Sequence, residues 1–512
     1  MISWIILAVL AAPVVYLLLL HHFSYWKRHG IAQLGPSFVF GDVGQFIRQQ
    51  HCIGVMCSKL YEISKNLPYV GIYVSFRPGM LINDPQMIKD ITVRDFEHFH
   101  DRGLHVNEEK DPLSCHLFAL GGEKWKHHRS KLSPTFTSGR LKEMLPIMMD
   151  VGKVLQKHIE KRAAVEKVID MREVMARYTT DIIASVGFGI KIDSINNHED
   201  IFRQMGTRVF STSLKNSLRL ASTFFTPKLN SVLGFKFIDQ EVEDFMINVV
   251  KDTLEHRESN NVIRKDMMQL LLQLRNLGTV SIDERWDIGV PNSHKQLSLE
   301  QVTAHAFVFF TAAYETSSTA MSFCLHELAK NKTIQHKVQK EIDHVLSQSG
   351  GNLTYDNLAE MKYLESCIDE TLRKYPSVPF LNRECTKEYP IPGTNVTIPK
   401  GTPIIIPVMG LHNDPNFFPE PEKFVPERFS DEKQATSKAY IPFGTGPRNC
   451  IGMRMGKIQT KVGLVSLLSK FNFDLADEGQ MNKELKLDPR SLILMPVGGI
   501  NLTITKKIDS RE

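Results

Sequence analysis

The 512-residue chain has no run of lysine and arginine, and its net charge is only +5, from 62 basic against 57 acidic residues. With no zinc-finger spacing and no RNA-binding signature either, nucleic acid is excluded as a partner. A disulfide framework is lacking as well. The seven cysteines (Cys52, Cys57, Cys115, Cys324, Cys367, Cys385, Cys450) are odd in number and irregular in spacing. That pattern fits reduced thiols facing the cytosol. His51 lies beside Cys52 and Cys57, but no second ligand pair follows, which disfavours a zinc site. The chain has no nucleotide-binding motif, no internal repeat and no low-complexity tract. What it does have is 42% hydrophobic residues, enough for a large core.

Charge is also absent from Ile2 to Leu20, where only Ser3 is clearly polar. As a helix this stretch spans roughly 28 Å, near the thickness of a bilayer core. Pro13 is placed to kink it. A cleaved signal peptide is the alternative, but no basic residue precedes the apolar run, which is long for such a segment. Lys27 and Arg28 follow it, so the positive-inside rule leaves the rest of the chain in the cytoplasm, with Tyr25 and Trp26 suited to the interface. The expectation is an uncleaved anchor over residues 1–22, in the endoplasmic reticulum membrane. A linker over 23–40, with Gly30, Gly35 and Pro36, then leads to one domain over 41–512.

Tyr69 to Ile82 reads as a β-hairpin turning at Arg77-Pro78-Gly79. Residues 137–275 read mostly as helix, with amphipathic segments over 140–162 and 237–257. Residues 278–297 are polar and read as a surface loop. Ser298 and Gln301 form a capping-box pattern, opening a helix that runs to about Lys330. Its middle, Ala304 to Ala313, is apolar and so buried. Glu315, Thr316, Ser317, Ser318 and Thr319 follow, and buried polar groups need partners or a function. Hydroxyls bonding back to the preceding turn are one account of them. Residues 389–430 read as a small β-rich region and a meander, with Ile404-Ile405-Ile406 as a buried strand. A helix over 452–468 follows, then a terminal hairpin over 492–505.

Between the meander and that helix lies Phe443-Gly444-Thr445-Gly446-Pro447-Arg448-Asn449-Cys450-Ile451-Gly452. A cysteine is usually a small buried hydrophobe. A dinucleotide loop would need a third glycine where Asn449 stands, and no long apolar strand leads in. The combination suits a haem-thiolate site better. A thiolate can be the axial ligand of haem iron, favouring O–O cleavage. Gly444 and Gly446 let the backbone bend and approach a flat ligand. Arg448 offers a fork of donors matched to a carboxylate such as a haem propionate.

This segment resembles the haem-binding signature of cytochromes P-450, Phe-x-x-Gly-x-Arg-x-Cys-x-Gly, at every fixed position. The resemblance extends to other motifs in the same order. Glu370-Thr371-Leu372-Arg373 and Pro426-Glu427-Arg428-Phe429 are similar to the pair and the arginine that form the family's structural triad. Taken alone, Glu370 and Arg373 would be a surface ion pair of little worth. Trp125 and Arg129 resemble Trp-x-x-x-Arg, and Arg383 a further propionate-binding arginine. Ala312-Ala313-Tyr314-Glu315-Thr316 resembles the oxygen-activation motif, departing from it by Ala313 in place of glycine. In detail, Leu132 to Lys142 and Phe309-Phe310 look most like insect microsomal members of family six.

The resemblance implies a mainly α fold, a large helical part plus a small β-rich part, around one haem b (iron protoporphyrin IX). The implied reaction is monooxygenation of lipophilic molecules, with Cys450 as iron ligand. Phe443, Gly444, Arg448, Trp125, Arg129 and Arg383 would hold the cofactor. Glu315 and Thr316 would organise proton delivery. Electrons would come from the membrane-bound NADPH–cytochrome P-450 reductase, with cytochrome b5 a second donor. Lys124, Lys126, Arg454 and Lys457 could form its docking face or be ordinary solvated cations. The substrate pocket would draw on 113–120, 210–225, 309–313, 378–381 and 494–495, a lining suited to xenobiotics such as plant toxins or insecticides. An endogenous hormone or lipid is the alternative substrate. A haem-thiolate isomerase, or a non-enzymatic haem protein, is the alternative in kind. Retention of Glu315 and Thr316 argues against the isomerase.

Overall fold

A computed structural model describes residues 2–507, apart from 39, 228–229, 231, 233, 235, 281–285, 289–296, 431–436, 478, 480 and 482–483. The helices of eleven or more residues are α1 (Ile2–His22), α2 (Ile53–Ser64), α3 (Gly122–Leu132), α4 (Ser138–Ala163), α5 (Met171–Ile183), α6 (Leu214–Phe225), α7 (Gln240–Asn260), α8 (Met267–Leu277), α9 (Leu299–Lys330), α10 (Lys332–Gln348), α11 (Lys362–Lys374) and α12 (Met453–Leu468). The strands are β1 (Tyr69–Val74), β2 (Arg77–Ile82), β3 (Ile169–Asp170), β4 (Leu381–Glu384), β5 (Tyr389–Pro390), β6 (Thr397–Ile398), β7 (Pro403–Ile406), β8 (Phe471–Leu475) and β9 (Asn501–Lys506). The architecture is mainly α with a small β-rich part.

Helix α9 is the axis of the fold. The Ser298 hydroxyl accepts from Gln301 N and the Gln301 side chain accepts from Ser298 N, so both halves of the capping box form. Two otherwise orphaned amides are thereby satisfied. The helix has 32 residues, about 48 Å at standard rise. It is apolar on several sides because α5, α7, α11 and α12 surround it. Its buried polar residues are partly accounted for by hydroxyls bonding back one turn, as Ser322 does to Ser318 O.

The larger sheet has the order β1-β2-β7-β4. β1 and β2 form the expected hairpin, with Tyr69 opposite Ile82, and Ile404 to Ile406 form the buried strand β7. The expected hairpin over 492–505 does not form. Only β9 is a strand there, pairing with β8 and β3. Gly498 and Gly499 both adopt positive φ, which turns the chain away before a local partner strand can pair. Leu502 and Ile504 then find their burial on β8, far back in sequence. Most of the expected loop over 278–297 lies outside the described residues.

Residues 23–34 are packed on this sheet rather than strung out as a linker. Trp26 is buried, not interfacial, and its indole donates to Ile72 O at 3.1 Å. Gly71 makes room for it, since a Cβ there would sit 2.4 Å from Trp26 Cγ. Helix α1 precedes this contact and carries Pro13, but the side chains of residues 2–11 are outside the described residues. Among the described residues, no helix is long and apolar enough to cross a membrane.

The Glu370–Arg373 pair is fully buried, so it is not the surface pair its spacing alone suggests. Arg373 Nε and Nη2 donate to the two carboxylate oxygens of Glu370 at 2.7 and 2.9 Å. Nη1 of Arg373 donates to His412 O, and Nη2 is shared between Glu370 and the carbonyls of Pro421 and Lys423. Arg428 approaches Glu370 at 3.4 Å, and Val425 N donates to the same oxygen. The triad thus fastens α11 to the meander that leads into the Cys450 loop. Breaking such a pair strands a buried charge, so Arg373→Ala should cost about 3–5 kcal/mol. Denaturant melts of the purified variant would check this, and a loss below about 1 kcal/mol, the worth of a surface pair, would contradict it.

Candidate active site

The loop before α12 is shaped by its glycines. Gly444 and Gly446 have φ of +70° and +74°. At Gly446 a Cβ would lie 1.8 Å from Thr92 O, so only glycine fits. Cys450 N donates back to Phe443 O at 2.9 Å and Asn449 N to Gly446 O at 3.0 Å, which closes the loop on itself. Cys450 is deep in the molecule yet exposed, because it fronts an internal cavity of about 280 Å³. Burial raises the thiol's pKa, while the Gly452 amide and the charges of Arg129 and Arg102 pull it down.

The cavity wall is mainly apolar. Leu117 and Phe118 line it, as do Phe309, Ala312 and Ala313 of α9, Val378, Leu381 and Phe443. Two expected pocket segments do not. Phe224 and Phe225 border a smaller adjoining pocket together with Arg102 and Arg383, and Leu494 is buried against the Gly54 region of α2.

Four arginines gather at the Cys450 end. Arg448 donates to the carbonyls of His100 and Leu120, and its guanidinium stacks 4.1 Å above the Trp125 ring. Arg129 clasps the cysteine loop, donating to Asn449 O at 2.9 Å and Asn449 Oδ1 at 2.8 Å. Arg383, on β4, spends one donor on Asn382 O. Its Nε and Nη2 are buried with no partner among the described residues, and so is Nε of Arg102. Among the described residues, the one carboxylate within ion-pair reach of Arg448 is that of Asp101, at 3.6 Å.

Burial, then the neighbouring arginines, holds the pKa of Arg448 down to about 9 and that of Arg102 well below the ordinary value. Burial alone lowers Arg383 to about 10. Unpaired buried cations and orphaned donors are costly. Here they surround a space fronted by a thiol, a donor set that fits a flat dianionic ligand bound through sulfur. The residues present therefore fit haem, with its two propionates.

The expected proton-relay residues are divided by the structure. Thr316 lines the cavity, and its hydroxyl donates to Ala312 O at 2.6 Å. Glu315 points elsewhere. It is buried behind α9, with Oε1 accepting from Arg172 of α5 at 2.7 Å and Oε2 without a partner among the described residues. Among the expected docking cations, Lys126 and Arg454 are exposed. Lys124 pairs with Glu108. Lys457 is spent on Glu365 and Asp369 at 2.7 and 2.9 Å, which removes it from a free basic face.

Sequence reasoning missed Arg102 and Gln459, which reach the site only through packing of distant segments and belong to no motif whose chemistry announces them. Asn449 stands inside the cysteine motif, but its role as the acceptor for Arg129 was not read from it.

The sequence matches the family model described as "Cytochrome P450" over residues 33–504. It is 37% identical to "Cytochrome P450 6d3" of Musca domestica, over 100% of both chains. It is 38% identical to "Cytochrome P450 6k1" of Blattella germanica, over 98% of this chain and 97% of that protein. It is also 38% identical to "Cytochrome P450 6a2" of Drosophila melanogaster, over 95% of this chain and 96% of that protein. A full-length match of this kind, on a fold that brings one cysteine and four arginines to an apolar cavity, makes the chain a member of the cytochrome P-450 family, a haem-thiolate monooxygenase.

Proposed function

We propose that the Cys450 sulfur would hold the iron of a haem b, and that the cavity it fronts receives lipophilic xenobiotics such as plant toxins or insecticides. The observation that carries the reading is the pairing of a thiol with uncompensated arginines at one end of an apolar cavity. Bound haem supplies the iron at which one atom of O₂ enters the substrate while the other leaves as water.

The chain's own residues do the rest. Arg383 and Arg102, which have free donors, meet the propionates. Arg448, stacked on Trp125, adds positive field from behind, and Arg129 fixes the cysteine loop through Asn449. Phe443 and the loop glycines keep the sulfur side close-packed and dry, which favours the thiolate–iron bond over solvent exchange. The Phe118, Val308 and Phe309 side chains exclude water and hold apolar substrates without directional contacts. Thr316 Oγ1 holds a proton inside the cavity. Glu315, held by Arg172 behind the same helix turn, is the carboxyl next to Thr316 in sequence, and proton delivery through it requires that carboxyl to turn from Arg172 towards the cavity.

Electrons come from NADPH–cytochrome P-450 reductase, with cytochrome b5 as a second donor. Lys126 and Arg454 are the exposed cations flanking Trp125 and Cys450 in sequence, and they serve as the docking charges. Helix α1 anchors residues 1–22 in the endoplasmic reticulum membrane, with the domain over 41–512 facing the cytoplasm. Apolar run length and the Lys27-Arg28 flank support that placement.

Two outcomes test these assignments. Arg383→Leu should act with opposite signs on the two forms. It removes a buried unpaired cation, so the cofactor-free chain melts at higher denaturant, while haem passes faster to an acceptor protein. A variant that loses stability without losing haem would contradict the role. Membranes carrying the protein and reductase, incubated with NADPH under ¹⁸O₂, should yield lipophilic products with one ¹⁸O atom. Products formed from peroxides without NADPH would mark an isomerase instead.

A further inference from the structure

Helix α3 carries Trp125, which lies under Arg448, and Arg129, which clasps the cysteine loop. Little apolar surface holds this helix in place. Of its 11 residues, Trp125, His128 and Leu132 are the buried ones, and the rest are mostly charged or polar. Positions 125, 128 and 132 follow one another along one side of a helix, and His128 is the polar member of that face. Its Nδ1 lies 2.8 Å from Nε2 of His305 on α9, with the ring centroids 4.8 Å apart. His305 is fully buried, and its Nδ1 has no partner among the described residues.

A neutral imidazole carries one proton. A buried N–H without an acceptor is rarer in folded proteins than an unused lone pair. The hydrogen-bond pattern therefore assigns the His305 proton to Nε2, which donates to His128 Nδ1. Both rings are kept neutral. Burial first, then His127 and Lys131 beside it, holds the pKa of His128 down to about 4. Burial, then His128 and His116, lowers that of His305 well below the ordinary value. Two facing imidazole nitrogens can also hold a metal ion, but among the described residues no group of three such ligands forms. What the pair makes is a buried, uncharged cross-link from α3 to α9.

We infer that His128 and His305 are positioning residues, whose hydrogen bond sets α3 against α9 and so presents Arg129 to the cysteine loop. Neither histidine lines the cavity. Arg129 is the next residue after His128, and it donates to Asn449 O and Oδ1 beside Cys450. A small rotation of α3 about its axis would carry the guanidinium off both acceptors together. The inference rests on the haem-thiolate reading and deepens it, since that reading gives the clasped loop its ligand.

The test compares the haem-loaded wild type with His305→Leu, His305→Gln, Arg129→Leu and the variant combining His305→Leu with Arg129→Leu. The reduced carbon monoxide spectrum of the wild type tests the haem-thiolate reading by itself. Two other readouts test the histidine pair: the rate at which haem passes to an acceptor protein, and hydrogen exchange of the backbone amides over 122–132. His305→Leu strands the His128 acceptor, and should pass haem severalfold faster and exchange faster along α3. His305→Gln keeps an amide N–H near the place of Nε2, so it should return both readouts towards wild type. Arg129→Leu should also speed haem transfer, and adding His305→Leu to it should raise the rate little further, because the two act in series. A general packing defect would add in full and would not be rescued by glutamine. Should His305→Leu fail to fold, His128→Leu removes the other partner and is read the same way. If the wild type lacks a thiolate-type band, the exchange readout still decides whether the pair fixes α3. Unchanged exchange in the leucine variant, a glutamine variant as fast as the leucine one, or full additivity with Arg129→Leu would overturn the inference.

Discussion

Four guanidinium groups gather around a single thiol with only Asp101 beside them as an anion among the described residues, and much of the surrounding structure follows from that imbalance. Arg102, Arg383 and Arg448 lie deep enough for burial to lower their pKa values. A chain that kept these cations for stability would have given each a carboxylate. Arg448 has Asp101 at 3.6 Å and otherwise backbone carbonyls, Arg129 has the Asn449 carbonyl and amide oxygens, and donors of Arg383 and Arg102 find no partner among the described residues. Cofactor-free, the site is a local cost; loaded with a dianion, the same charges become binding energy. Cofactor retention and folding are then one equilibrium seen from two sides.

Three supports hold that arrangement. Glycine at 446 lets the cysteine loop pass against Thr92. The buried Glu370–Arg373–Arg428 triad fixes the meander from which the loop departs. Helix α9 runs across the cavity and presents Thr316 inside while turning Glu315 to Arg172. Thr316 and Glu315 are thus neighbours in sequence but lie on different sides of the helix.

Much of this was legible in the sequence, and for identifiable reasons. Cys450 with Gly444, Gly446 and Arg448 is a local pattern whose geometry depends on few other residues. The capping box at Ser298 and Gln301 is likewise local. The terminal hairpin failed because strand partners are chosen across the whole chain: β9 found β8 and β3 once Gly498 and Gly499 had turned the intervening segment. Lys457 read as a docking charge because its carboxylate partners sit on α11, which only folding brings near. Gln459 and Arg102 carried no signal at all, since what matters is which carbonyl or cation they meet. Trp26 was misplaced by its position beside an apolar run, when it is Gly71 that makes its burial possible.

The most direct measurement is the absorbance spectrum of membranes carrying the protein, reduced and saturated with carbon monoxide, beside the Cys450→Ala variant. A red-shifted thiolate-type Soret band in the wild type, absent from the variant, is the predicted result. A histidine-type band, or no haem band from well-folded wild type, would contradict the assignment of Cys450 and the oxygen chemistry that depends on it.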